Sequence, residues 1–239
     1  MLATAAVCPH PPILVPEMAG EAAPELDALR AACDRAVRRL AGDVVIVVGG
    51  GSGTRSYGPD AYATLRPYGL GWTSPSEPEN DAEALPLSLT IGHWLLQRAE
   101  ACLDVRYQAV AFDAEPQDCL TLGHELAESA GRVALLVMGD GSACRSEKAP
   151  GYLDERARPY DAGVARALGH ADAAALADLD PGLSRDVQAA GRAAWQVLAG
   201  AVSGDGCAGE LLADEAPYGV GYLVASWSCG QAGKGAAAG

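Results

Sequence analysis

Four histidines, seven cysteines and a few carboxylates at element ends carry the chemistry this 239-residue chain can offer. His10 stands in Cys8-Pro9-His10-Pro11-Pro12, directly after the apolar run of residues 2–7. Prolines restrict the backbone on both sides. The imidazole is therefore held at the tip of a predicted strand, able to move a proton or ligate a metal. Cys8, two residues earlier, shares that environment, though a buried thiol there would be inert. A second stretch, Gly139-Asp140-Gly141-Ser142-Ala143, follows another apolar run. Asp140 at such a strand end can bind a metal or orient a base, and Asp in that position also serves turns. Ser142 does not sit centrally between glycines, as a hydrolase nucleophile elbow requires.

The third stretch is Gly49-Gly50-Gly51-Ser52-Gly53-Thr54. A phosphate loop needs a lysine before its Ser/Thr, and Gly53 holds that place. The dinucleotide pattern GxGxxG fails as well, its last glycine falling on Thr54. We read this run as a tight backbone passage beside a pocket. His93, His124 and His170 form no HxH or HxxxH pair, so no metal site is local in sequence. Glu210, Asp214 and Glu215 precede the last apolar run and could deliver a carboxylate to the same crevice.

Alternating elements must position these groups. Residues 2–7, 43–48, 106–112, 133–138 and 219–227 read as strands. The β-branched run Val44-Val45-Ile46-Val47-Val48 suits a parallel strand buried on both faces. Residues 24–40, 84–103 and 119–130 carry apolar side chains at helical spacing. Residues 159–202 are mostly helical, with a break at Asp180-Pro181 and Ser184 placed to cap a helix running through Trp195. Residues 57–83, rich in Pro, Gly, Ser and Tyr, form a long excursion of the kind that often carries function. The alternation predicts an α/β layered sandwich with a mainly parallel or mixed central sheet. Ligands in such folds sit at the C-terminal ends of the strands, where His10, Gly51, Ser52, Asp140 and Ser142 would converge. The length fits one domain over residues 1–229, followed by a tail at 230–239 with too little apolar surface to order itself.

The formal charge is −14, and Lys148 and Lys234 are the only lysines. No basic stripe offsets that charge, which excludes nucleic acid as a main ligand. No apolar run is long enough for a membrane span, and the N-terminus lacks the features of a signal peptide. The odd cysteine count, without a CxxC pair, points to neither a disulfide framework nor structural zinc. A reducing cytoplasm is the expected setting.

Pro9-His10-Pro11-Pro12 with Pro16-Glu17, Gly139-Asp140-Gly141-Ser142 after a strand, and the closing Tyr222-Leu223-Val224-Ala225 resemble the catalytic subunit of class III extradiol dioxygenases, the LigB-like family that includes the Memo-like proteins. The segment from Glu147 to Asp154 resembles an actinobacterial branch of that family with no assigned activity. The resemblance spans about residues 3–227. It implies a LigB-like sandwich, a homodimer, and Fe(II) held by two histidines and a carboxylate for ring cleavage of a catechol-like substrate. On that basis His10 would be the first metal ligand, and Asp214 or Glu215 the carboxylate. The second imidazole would fall where Gly49-Gly50-Gly51-Ser52 stands, and the acid/base histidine where Ala143 stands.

Three functional expectations follow. In the first, the family scaffold has lost its iron site and keeps a crevice for a small molecule or a protein partner. In the second, the chain is an active Fe(II) oxidoreductase drawing its ligands from Cys8, His93 or the 57–83 excursion. In the third, ranked last, it is a hydrolase using Ser142 or Ser52.

Overall fold

The computed structural model describes residues 1–100, 104–203 and 206–230. The strands are β1 (Leu2–Cys8), β2 (Val44–Gly51), β3 (Arg55–Tyr57), β4 (Ala63–Thr64), β5 (Thr73–Ser74), β6 (Val105–Ala111), β7 (Val133–Met138), β8 (Cys207–Glu215) and β9 (Tyr222–Cys229). The helices are α1 (Pro16–Ala19), α2 (Asp27–Arg38), α3 (Leu87–Arg98), α4 (Pro116–Glu128), α5 (Ala157–His170), α6 (Ala173–Ala177), α7 (Pro181–Asp186) and α8 (Arg192–Ala201). Seven strands form one mixed sheet in the order β3-β6-β2-β7-β1-β9-β8. The inner four, β6, β2, β7 and β1, run parallel, while β3, β9 and β8 join antiparallel. The protein is thus a layered α/β sandwich.

Strand periodicity divides the core. Val44, Ile46 and Val48 of β2 point to one face with Leu135 and Val137 of β7, under α4, α5 and α8. Val45 and Val47 point to the other face with Leu136 and Met138, under α2 and α3. Small residues let the layers close. A Cβ on Gly123 of α4 would meet the Val197 carbonyl and lie 2.8 Å from the Ala201 nitrogen of α8.

Several expectations need correction. The glycine run is not a loop up to Gly51: Gly49–Gly51 continue β2 and pair with Ala109–Ala111 of β6. A Cβ on Gly49 would lie 2.6 Å from Ser88 Oγ, and that hydroxyl donates to the Gly50 carbonyl at 2.7 Å. The glycines are there because α3 packs directly onto the strand.

Residues 207–215, read only as carriers of carboxylates, form the edge strand β8. Asp180, not Ser184, caps a helix: its Oδ1 accepts from the Leu183 N–H at 2.5 Å. Ser184 lies inside the short α7, and a new helix begins at Arg192. Cys207 and Cys229 are joined by a disulfide across the β8–β9 pair. The odd count and lack of a CxxC motif concealed it, because the pairing depends on sheet register. The predicted helix end at 101–103 and the tail at 231–239 lie outside the described residues.

Candidate functional site

β1 and β7 are parallel neighbours, so the loops after Cys8 and Met138 emerge side by side. Asp140 Oδ1 accepts the His10 backbone N–H at 2.8 Å and stands 3.8 Å from the ring Nδ1. His10 is buried at 6% exposure, and its Nδ1 has no hydrogen-bond partner. Tyr222, first residue of β9, faces Asp140; burial first, then that nearby carboxylate, pushes its phenol well above the ordinary range. Sequence reasoning placed His10 and Asp140 at one crevice, and the structure brings these two together.

Ser142 is placed beside them but is fully buried and committed elsewhere. Its N–H donates to Asp161 Oδ1 and its Oγ to Asp161 Oδ2, both at 2.7 Å. Asp161, on α5, is 1% exposed. Burial raises its pKa, opposed by the two Ser142 donors and by Arg145. The hydroxyl is thus the donor half of a clamp that pins the β7 loop to α5.

Backbone bonds tie the same loop to the β8–β9 turn. The Gly141 N–H donates to Gly221, the Gly221 N–H to Ser142, and the Arg145 N–H to Gly219. Sequence reasoning missed Asp161. The signal was a carboxylate four residues after Ala157 and three before Val164, on the helix's apolar stripe.

The remaining predicted residues have partners or surroundings of their own. Gly51 is spent in pairing with Ala111, and Ser52 is exposed. Asp214 Oδ1 lies 3.6 Å from Arg145 Nη1, and Glu215 pairs with Tyr222 at the end of β8. His93 sits between hydroxyls, with Ser74 Oγ 2.9 Å from Nε2 and Tyr107 Oη 2.6 Å from Nδ1. Burial lowers its pKa, which favours the neutral ring, and both nitrogens have hydroxyl partners. Cys8 packs against Cys33, whose thiol is held well above its usual pKa by that neighbour and by burial.

Among the described residues no group of three or more His, Cys, Asp or Glu side chains is arranged to hold a metal ion. The donor set around His10 is one imidazole and one carboxylate, and an oxygen of that carboxylate already accepts the His10 N–H. It does not fit a two-histidine, one-carboxylate iron centre.

Among the described residues no helix is long and apolar enough to cross a membrane. No protein-family model and no curated protein matches the sequence. A crystal structure of the uncharacterized protein JW3007 from Escherichia coli K12 is similar, with a TM-score of 0.60 and 15% identity. The match covers 95% of this chain and 100% of that one, and at this identity it shows a shared fold alone.

Proposed function

We propose that the chain is a divergent LigB-like protein that binds a small ligand at the C-terminal strand ends without an iron-dependent ring cleavage. The observation that carries this reading is the pairing of His10 with Asp140. The imidazole that the family resemblance makes a metal ligand instead has a single carboxylate beside it. Gly51, Ser52 and Ala143 stand where the other imidazoles of that pattern would be. Without a second imidazole the site binds Fe(II) weakly, and alanine at 143 moves no proton.

The same proposal places the protein in the cytoplasm. The described Cys8, Cys33, Cys119 and Cys144 are free thiols, as a reducing compartment keeps them, while the Cys207–Cys229 bond is more usual in an oxidising one. Thiol trapping in cells tests this part.

The decisive experiment is metal analysis of protein purified without chelators, beside its His10→Ala variant, with oxygen uptake measured on a catechol panel. Substoichiometric iron, unchanged in the variant, and no oxygen uptake are expected. Stoichiometric iron that disappears with His10 would overturn the reading and favour an active dioxygenase.

A further inference from the structure

A cavity of about 550 Å³ opens between the β7 loop, the start of α5 and the β8–β9 turn. Arg145, Lys148 and Arg158 line it with Ser146, Tyr218 and Gly219, and no carboxylate does so among the described residues. The lining is cationic in an otherwise acidic chain. The chain carries 31 Asp and Glu against 17 Lys and Arg, and one of its two lysines stands here. A chain of net charge −14 repels anions in general, so three cations around one opening are not a by-product of a basic surface.

Two carboxylates pair with Arg145 by charge but leave its hydrogen bonds unmade. Asp161 Oδ2 and Asp214 Oδ1 each lie 3.6 Å from Arg145 Nη1, beyond hydrogen-bond distance. Arg145 Nε and Nη1 are buried without any hydrogen-bond partner. Unmet buried donors are costly to a fold. Arg158 donates only a long contact, 3.5 Å, to the Arg145 carbonyl. Tyr218 donates its hydroxyl to Glu25 at 2.9 Å, which fixes the ring at the rim.

We infer that this cavity is an oxyanion site, taking the phosphate or carboxylate head group of a small molecule. The exposed Arg158 guanidinium offers a planar fork that matches either group bidentately, the Lys148 ammonium adds a mobile donor, and Arg145 behind them adds positive charge to the wall. The volume exceeds what an inorganic ion fills and lies in the range of small-molecule pockets. The site stands apart from the reading of His10, and iron content has no bearing on it.

The test titrates the full chain with inorganic phosphate and, separately, with malonate, at constant ionic strength against chloride, by calorimetry. The variants are Lys148→Gln with Arg158→Gln together, both exposed positions, and Arg38→Gln on an exposed face of α2 as control. Saturable binding of at least one anion is expected, weakened at least about tenfold in the double variant and unchanged in Arg38→Gln. Phosphate alone binding identifies a phosphate ligand, and malonate alone a carboxylate. If neither anion binds saturably, or the folded double variant binds as tightly as the unaltered chain, the inference fails.

Discussion

Asp161→Asn is the most informative single substitution. The carboxylate accepts two bonds of 2.7 Å from Ser142, and Arg145 faces one of its oxygens at 3.6 Å. An amide keeps one acceptor for the Ser142 N–H, and its NH₂ can meet Ser142 Oγ only if the hydroxyl turns to accept, so both bonds lose their charge assistance. A hydrogen bond to a charged group contributes about 1.5–3 kcal/mol. Removing a buried charge returns part of its desolvation cost, and the net expected loss is about 2 kcal/mol. For a chain of this size that lowers Tm by about 4–8 °C.

The pH dependence gives a second, independent readout. Burial raises the Asp161 pKa in the fold above its unfolded value, so the native state holds this proton more tightly. Stability from this group is therefore fully present below the unfolded value of about 3.9 and is lost as pH rises through the folded one. The stability gap between the unaltered chain and the variant should widen on acidification toward that value. Urea unfolding at a series of pH values measures both quantities. A variant as stable as its parent, or a gap that narrows on acidification, would refute the account of the Ser142–Asp161 clamp.

Gly123→Ala should destabilise by about 1–3 kcal/mol or more, because the new methyl meets α8 backbone rather than a side chain that can move; thermal unfolding checks it. Reducing the Cys207–Cys229 bond, which closes a separation of 22 residues, should cost about 3 kcal/mol, read as a lower urea midpoint in reductant. Tyr107 and Tyr160, each raised to about 12 mainly by burial, should stay protonated in the native protein above pH 10. Because the fold holds those protons, the stability they contribute falls as pH rises from about 10 toward 12; phenolate absorbance followed alongside unfolding tests this.

Much of the layering was legible because it rests on local pattern. The unbroken β-branched run from Val44 to Val48 suggested a strand buried on both faces, and the alternation of strands with amphipathic helices then implied the sheet. What escaped was tertiary in origin. Gly49–Gly51 lack any strand propensity and stay in β2 because Ser88 of α3 closes over them. β8 mixes carboxylates with alanines and a glycine, as an edge strand can, and its pairing with β9 supplies what propensity does not. At the site, the strand ends that hold His10 and Asp140 were foreseeable from parallel order. Asp161 reaches Ser142 from a helix about 20 residues away in sequence, and Arg145 acquires its role only through the fold.

The two rims of the sheet also bear on how copies of this chain can meet. β3 is only three residues long, and β8 carries Glu210, Asp214 and Glu215 along its open side. Arg39 is already bound to Glu210, at 2.5 Å, and is not free to bridge to a second chain. Two copies joined backbone to backbone along β8 would bring these carboxylates close together, and the neighbouring Arg39 and Arg145 are already engaged with Glu210 and Asp214. Neither rim therefore offers a long uncharged edge for strand addition, and the sheet ends as a finite, self-contained plate.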